Sequence, residues 1–178
     1  MPNKSCAVIA EAPMCFPWGF DEEDERCVKL KQLILSGLSH LQAQGVTRFF
    51  IPIDAGIGLY AAELAATLTL ADEGPQLYCL LPYEEQAVKW SPELRNRYFA
   101  VLESCTAPIS VSVERTPVCE LDAMLEAIDR ADRIVAIGVG AQPRDRNFAA
   151  ALHYAERLGC DVQMLAAPEL SAIVSDDY

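Results

Sequence analysis

The chain has 178 residues, of which 52% are hydrophobic and 22% charged, enough apolar material for one sizeable core and too little polarity for a disordered chain. Its net charge of −12, from 14 basic against 26 acidic residues, repels nucleic acid and anionic lipid, so neither is an expected partner. No apolar run is long enough to span a bilayer, and the opening Met1-Pro2-Asn3-Lys4 lacks the apolar segment of a secretory leader.

Apolar runs and helical periods alternate along the chain. Cys6-Ala7-Val8-Ile9-Ala10 reads as the first strand. Residues 21–44 read as a long helix striped by Cys27, Leu30, Ile34, Leu38 and Leu41, with four acids in its first turn and Gly45 as its stop. Thr47 to Ile53 is the second strand, and a helix follows from about Gly58 to Asp72. Gln76 to Leu81 is the third strand, and Ser91-Pro92-Glu93 opens a helix with a capping serine and a proline at its first position. Ile109 to Val113 is the fourth strand, followed by a helix striped by Leu121, Met124, Leu125 and Ile128. Arg133 to Ile137 is the fifth strand, Asp145 caps the next helix, and Asp161 to Leu165 is the sixth. The tail from Pro168 reads as a short helix.

Strands separated by helices of this length require right-handed crossovers and a mostly parallel sheet. The expected fold is therefore α/β, Rossmann-like and doubly wound, with about six strands and helices on both faces. Nothing marks a domain boundary, so the chain is expected to form one domain. Seven cysteines, none in a CxxC pair, imply free thiols in a reducing, cytoplasmic setting.

In such a fold ligands sit beyond the carboxyl ends of the strands. Three segments lie there. The first is the turn after the second strand, Asp54-Ala55-Gly56-Ile57-Gly58, where glycines lead into a helix whose free N–H groups favour an anion. Gly56 to Ala61 fits the loose dinucleotide pattern G-x-G-x-x-A, but after the second strand and without the acid the full fingerprint requires, so a nicotinamide cofactor is not expected. The alternative is a pair of glycines that merely allow a tight turn. Glu63, an acid among alanines one and a half turns on, either faces the strand ends and holds a ribose or amide, or is solvated on an outer face.

The second segment is Pro82 to Trp90, where Gln86 and Trp90 would offer an amide and a flat surface to a base if the piece is helical. Trp90 alone fits a core plug equally well. Of the nearby Arg95 and Arg97, one is expected to balance Glu63 or a phosphate, or both to be solvated. The third segment is Gly138-Val139-Gly140 with Arg144 and Asp145 before the next helix, either a second phosphate contact or an ordinary capped loop.

Other chemistries lack support. There is no P-loop and no G-x-S-x-G elbow, and the two histidines, His40 and His153, lie on helices away from the strand ends. No metal site is expected, and Cys105 and Cys119 carry no positive sign of a nucleophile.

The block Gly56 to Glu63, followed by Leu80-Leu81-Pro82-Tyr83-Glu84-Glu85-Gln86 and then Trp90 and Tyr98, resembles the YpsA-like branch of the SLOG superfamily, over roughly residues 5–160. That superfamily also holds the DprA recombination mediators and the Lonely Guy phosphoribohydrolases. The resemblance implies a Rossmann-like sheet and a pocket for a nucleotide or nucleotide-derived molecule, lined or supported by Gly56, Glu63, Gln86 and Trp90. The chain departs from the family in three places. Glu11-Ala12-Pro13-Met14 replaces a glycine and a basic residue, Gly58 replaces an acid, and Gln142-Pro143-Arg144-Asp145 replaces a glycine-rich turn containing threonine. The Lonely Guy motif P-G-G-x-G-T-x-x-E is also incomplete, without its threonine and with the acid one residue too far along.

Three classes of function follow as expectations. One is a cytosolic binding or sensor domain for a nucleotide-like small molecule, without a resident cofactor. Another is a hydrolase of N-glycosidic bonds with Glu63 as acid and base. The last is a scaffold working as a homodimer or higher homo-oligomer, its pocket filled by side chains such as Trp18, Phe20 or Arg144.

Overall fold

The computed structural model describes residues 4–166, so the expected tail helix from Pro168 lies outside the described residues. The elements run β1 (Lys4–Ala10), α1 (Glu25–Ala43), β2 (Val46–Pro52), α2 (Ile57–Thr69), β3 (Gln76–Leu81), α3 (Pro92–Ser104), β4 (Ala107–Ser110), α4 (Cys119–Asp129), β5 (Arg133–Gly138), α5 (Arg146–Arg157) and β6 (Asp161–Ala166), with a short 3-10 turn at Pro13–Cys15.

The six strands form one sheet in the order β4-β3-β2-β1-β5-β6. Every neighbouring pair is parallel. The chain winds outward from β1 to β4 and returns through α4 to place β5 on the other side of β1. The order therefore reverses between β1 and β5, and this is a Rossmann-like, doubly wound α/β fold.

Strand alternation divides the core. Cys6 and Val8 point to the layer packed by α1, α2 and α3, while Ala7 and Ile9 point to the layer packed by α4 and α5. Both faces of β1 are covered, which is why its sequence is a continuous apolar run rather than an alternating one. Small residues let α2 lie close on the sheet, for Ala61, Ala62 and Ala65 are fully buried. Among the described residues no helix is long and apolar enough to cross a membrane, and all seven cysteines are unpaired.

Several boundaries differ from those expected, among them the end of α2, which stops at Thr69 rather than Asp72. Helix α1 begins at Glu25 rather than at residue 21, because the Asp24 carboxylate accepts the Arg26 N–H at 2.9 Å and caps the helix there. The fourth strand is Ala107–Ser110 rather than 109–113, since beyond Ser110 only the Val111 N–H still bonds Leu81 before the chain leaves for α4. The piece carrying Gln86 and Trp90 forms turns rather than a helix; the helix waits for Ser91, whose Oγ accepts the Leu94 N–H.

Candidate functional site

The strand ends finish at one level. Ala10 of β1 pairs with Ile137 of β5, and Pro52 of β2 with Leu80 of β3. Beyond them lies a cavity of about 630 Å³. Its wall takes Ala12 and Pro13 from the end of β1, Pro52 and Asp54 from the end of β2, Gly58 from the start of α2 and Pro82 from the end of β3. Arg115, Glu120 and Met124 enter from the crossover to α4, and Asp145 and Asn147 from the start of α5. A cavity at the point where strand order reverses is where an open parallel sheet holds its ligands.

Asp54 is the acid of the β2 turn. Its Oδ1 accepts the N–H of Gly56 at 2.8 Å and of Gly58 at 3.0 Å. Burial pushes this carboxyl up to about 6, with the Asp145 charge adding to the rise and the two N–H donors opposing it. Gly58 is required by close approach, for a Cβ there would lie 2.4 Å from the Pro52 carbonyl oxygen and 3.1 Å from Asp54 Oδ1. Gly56 sits under Pro13, and a Cβ there would lie 2.6 Å from the proline Cβ.

The loop after β5 is held by a residue that the sequence reading treated only as a departure from the family pattern. Glu11 is fully buried at the end of β1. Its Oε2 accepts the Val139 N–H at 2.6 Å, and its Oε1 accepts the N–H groups of Arg144 at 2.6 Å and Asp145 at 2.9 Å. Asp145 answers from the other side. Its Oδ2 accepts the Ala12 N–H at 2.9 Å, and its Oδ1 caps α5 through the Asn147 N–H at 2.9 Å. A carboxylate taken out of water needs donors of this kind, so an acid closing a buried strand was the signal available in the sequence.

The remaining expected residues fall in different places. Gly138 closes β5 in the buried layer, with Glu11 Oε2 3.3 Å from where its Cβ would be. Gly140 is half-buried in the following loop, and the Arg144 side chain is exposed. Glu63 does not line the cavity. It faces α3, where Arg97 donates to Glu63 Oε2 at 3.1 Å through Nε and to Oε1 at 2.6 Å through Nη2. The same guanidinium holds Glu22 at 2.6 and 2.8 Å, and Lys31 joins at 2.6 Å. Arg97 thus fulfils the expectation that one arginine balances Glu63. Arg97 beside Glu22 holds that carboxyl down at about 2. Gln86 is buried and donates to the Tyr98 hydroxyl at 3.5 Å, and Trp90 packs edge-on against Tyr98 with ring centroids 5.2 Å apart. The structure therefore gathers Asp54, Gly58 and Pro82 at one cavity and places Glu63, Gln86 and Trp90 behind it, in contacts with α3.

Trp18 is buried, stacked on Phe16 at 5.0 Å, and Phe20 is exposed; neither lines the cavity. Among the described residues no group of three or more His, Cys, Asp or Glu side chains is arranged to hold a metal ion.

A family model described as the YspA SLOG family matches residues 14–121, more than half of the chain. The chain belongs to the YspA SLOG family. The YspA SLOG match spans α1 through β4 and reaches the start of α4, so it holds the Asp54 turn, Glu63, Gln86, Trp90 and Arg97. Glu11 and the loop it binds lie on either side of it. No curated protein matches the chain at a significant level.

Proposed function

We propose that this YspA SLOG protein is a cytosolic domain that binds, and so senses, a nucleotide or nucleotide-derived small molecule at the point where the sheet reverses its order. The observation that carries this reading is the cavity of about 630 Å³ joining the ends of β1, β2 and β3 to the start of α5. Its volume lies within the range of small-molecule sites, its wall is largely apolar, and a few polar groups converge on it. Asp54, with its raised pKa, is the perturbed acid such a site would use to fix a hydrogen-bonding edge. Unpaired thiols favour a reducing compartment. Thermal unfolding with a panel of bases, nucleosides and nucleotides tests the reading. A bound member raises the midpoint by several degrees, and the rise disappears in Asn147→Trp, which fills the cavity from α5. No shift with any compound, or equal shifts in the variant, refutes it.

One observation favours an N-glycosidic hydrolase as a second reading. A carboxyl with a pKa near 6 at a cavity wall suits a general acid, and Asp54 is that group. Glu63 is a poorer choice for the role, since both of its oxygens accept bonds from Arg97. Free base released from a nucleoside or nucleotide by the protein and not by Asp54→Asn would support hydrolysis. Inactivity across the panel would remove it.

A further inference from the structure

A nucleotide site in this kind of fold needs donors for phosphate, and here six backbone donors are already engaged by carboxylates of the chain. The amide-rich turn after β2 gives two N–H groups, those of Gly56 and Gly58, to Asp54. The loop after β5 gives three, those of Val139, Arg144 and Asp145, to Glu11. The start of α5 gives the Asn147 N–H to Asp145. At the β2 turn, the β5 loop and the start of α5, one of the chain's own carboxylates holds the amides that would draw a phosphate, while the start of α4 carries acids, Glu120 and Asp122, in its first turn.

The charged groups on the cavity wall point the same way. Asp54, Glu120 and Asp145 stand against one cation among the described residues, Arg115, which is exposed. A phosphate placed there would meet like charge. Apart from Asn147 and Cys15 the rest of the wall is apolar, with Pro13, Pro52, Pro82, Pro117 and Met124 offering surface to a flat ring rather than to an anion.

We infer that the cavity takes an unphosphorylated ligand, a nucleobase or nucleoside, and excludes the corresponding nucleotide. This rests on the binding reading above and narrows it. The base would lie among the prolines, and its N–H groups would face the carboxylate side of the wall. Asp54 accepts the chain's N–H groups through Oδ1 and Glu120 the Cys119 thiol through Oε2, which leaves the second oxygen of each for the amino and imino donors of a nucleobase.

Calorimetric titration of the intact protein with adenosine, cytidine and uridine, each against its 5′-monophosphate, and with inorganic phosphate, tests the inference. The expected result is saturable binding of at least one nucleoside, with its monophosphate weaker by about tenfold or more and no heat from phosphate. A monophosphate that binds as tightly as its nucleoside, or more tightly, overturns the inference and leaves the binding reading standing. No binding by any of the seven compounds overturns both. The variant Glu11→Ala frees the three N–H groups of the β5 loop and is expected to gain phosphate binding that the parent lacks. If Glu11→Ala fails to fold, the titrations of the parent protein still decide the matter.

Discussion

Glu11 and Arg144 are 133 residues apart, and the side chain of the first accepts the backbone N–H of the second at 2.6 Å. This bond joins the end of β1 to the loop before α5, and with the Val139 and Asp145 bonds it makes the first strand the support of the last crossover. Replacing Glu11 with Gln keeps the shape but sets an NH2 donor against N–H donors. Stability is expected to fall by about 2–4 kcal/mol, as buried donors lose their acceptor. Glu120→Gln, at the half-buried cavity wall, should stay within about 0.5 kcal/mol. Urea unfolding midpoints of the two variants compare them directly, and equal midpoints would contradict the structural role given to Glu11.

Asp54 makes stability depend on pH in an unusual direction. Its folded pKa of about 6 lies above the value of 3.8 expected when unfolded, so the folded state holds the proton more tightly. Stability from this group is fully present below pH 3.8 and is lost as pH rises through 6. Asp54→Asn keeps an acceptor for Gly56 and Gly58 and has no proton to lose. The variant should match the parent near pH 4 and exceed it by about 1–3 kcal/mol at pH 7, the lower values reflecting the open cavity beside the carboxyl. Denaturant unfolding of both proteins from pH 4 to 7 gives the difference, with other groups cancelling. A constant difference across that range would contradict the assignment.

Arg97 carries two carboxylates at once, Glu22 and Glu63. Arg97→Met removes the cation and leaves the two acids facing each other on α2 and the segment before α1. A loss of about 1–3 kcal/mol is expected at pH 7, discounted for the partial exposure of the pairs. Glu22, held at about 2 by Arg97, contributes stability above its unfolded value of 4.5 and loses it as pH falls toward 2. The penalty of the variant should therefore shrink on acidification below pH 4.5. A pH-independent penalty would show that packing on Tyr60, whose ring lies 5.7 Å from the guanidinium carbon, matters more than charge.

Two glycine-to-alanine changes should have opposite signs. At Gly58 the new Cβ would lie 2.4 Å from the Pro52 carbonyl oxygen, a backbone atom that cannot swing away. A loss of about 2 kcal/mol or more is expected, with disturbance of the Asp54 turn. Gly37 lies in the middle of α1, where a Cβ would meet nothing within 4 Å. A gain of about 0.5–1 kcal/mol is expected there from helix propensity. Thermal midpoints of the two variants read both signs.

Much of the fold was legible because buried parallel strands are continuous apolar runs. Residues 6–10, 76–81 and 133–137 announced themselves that way, and the caps at Ser91 and Asp145 marked helix starts by local chemistry. The Asp54 turn was legible for the same reason, since a strand, two glycines and a helix lie within a few residues. What the sequence hid is long-range. That Glu63 would turn to Arg97, 34 positions on, depended on how α2 packs against α3. That Arg115 and Glu120 reach the cavity depended on α4 crossing back over the sheet. Glu11 was in view as an acid closing a buried strand, but its donors come from the far end of the chain.

Because β1 lies between β2 and β5, it is born with one flank it cannot close. Its acceptor on that side waits for Val139, 128 residues later in synthesis. At roughly 5–20 residues per second, a ribosome needs roughly 6–25 s to deliver it. For that interval β1 has an open edge, and the hydrated acid at its end, Glu11, disfavours the pairing of that edge with another chain.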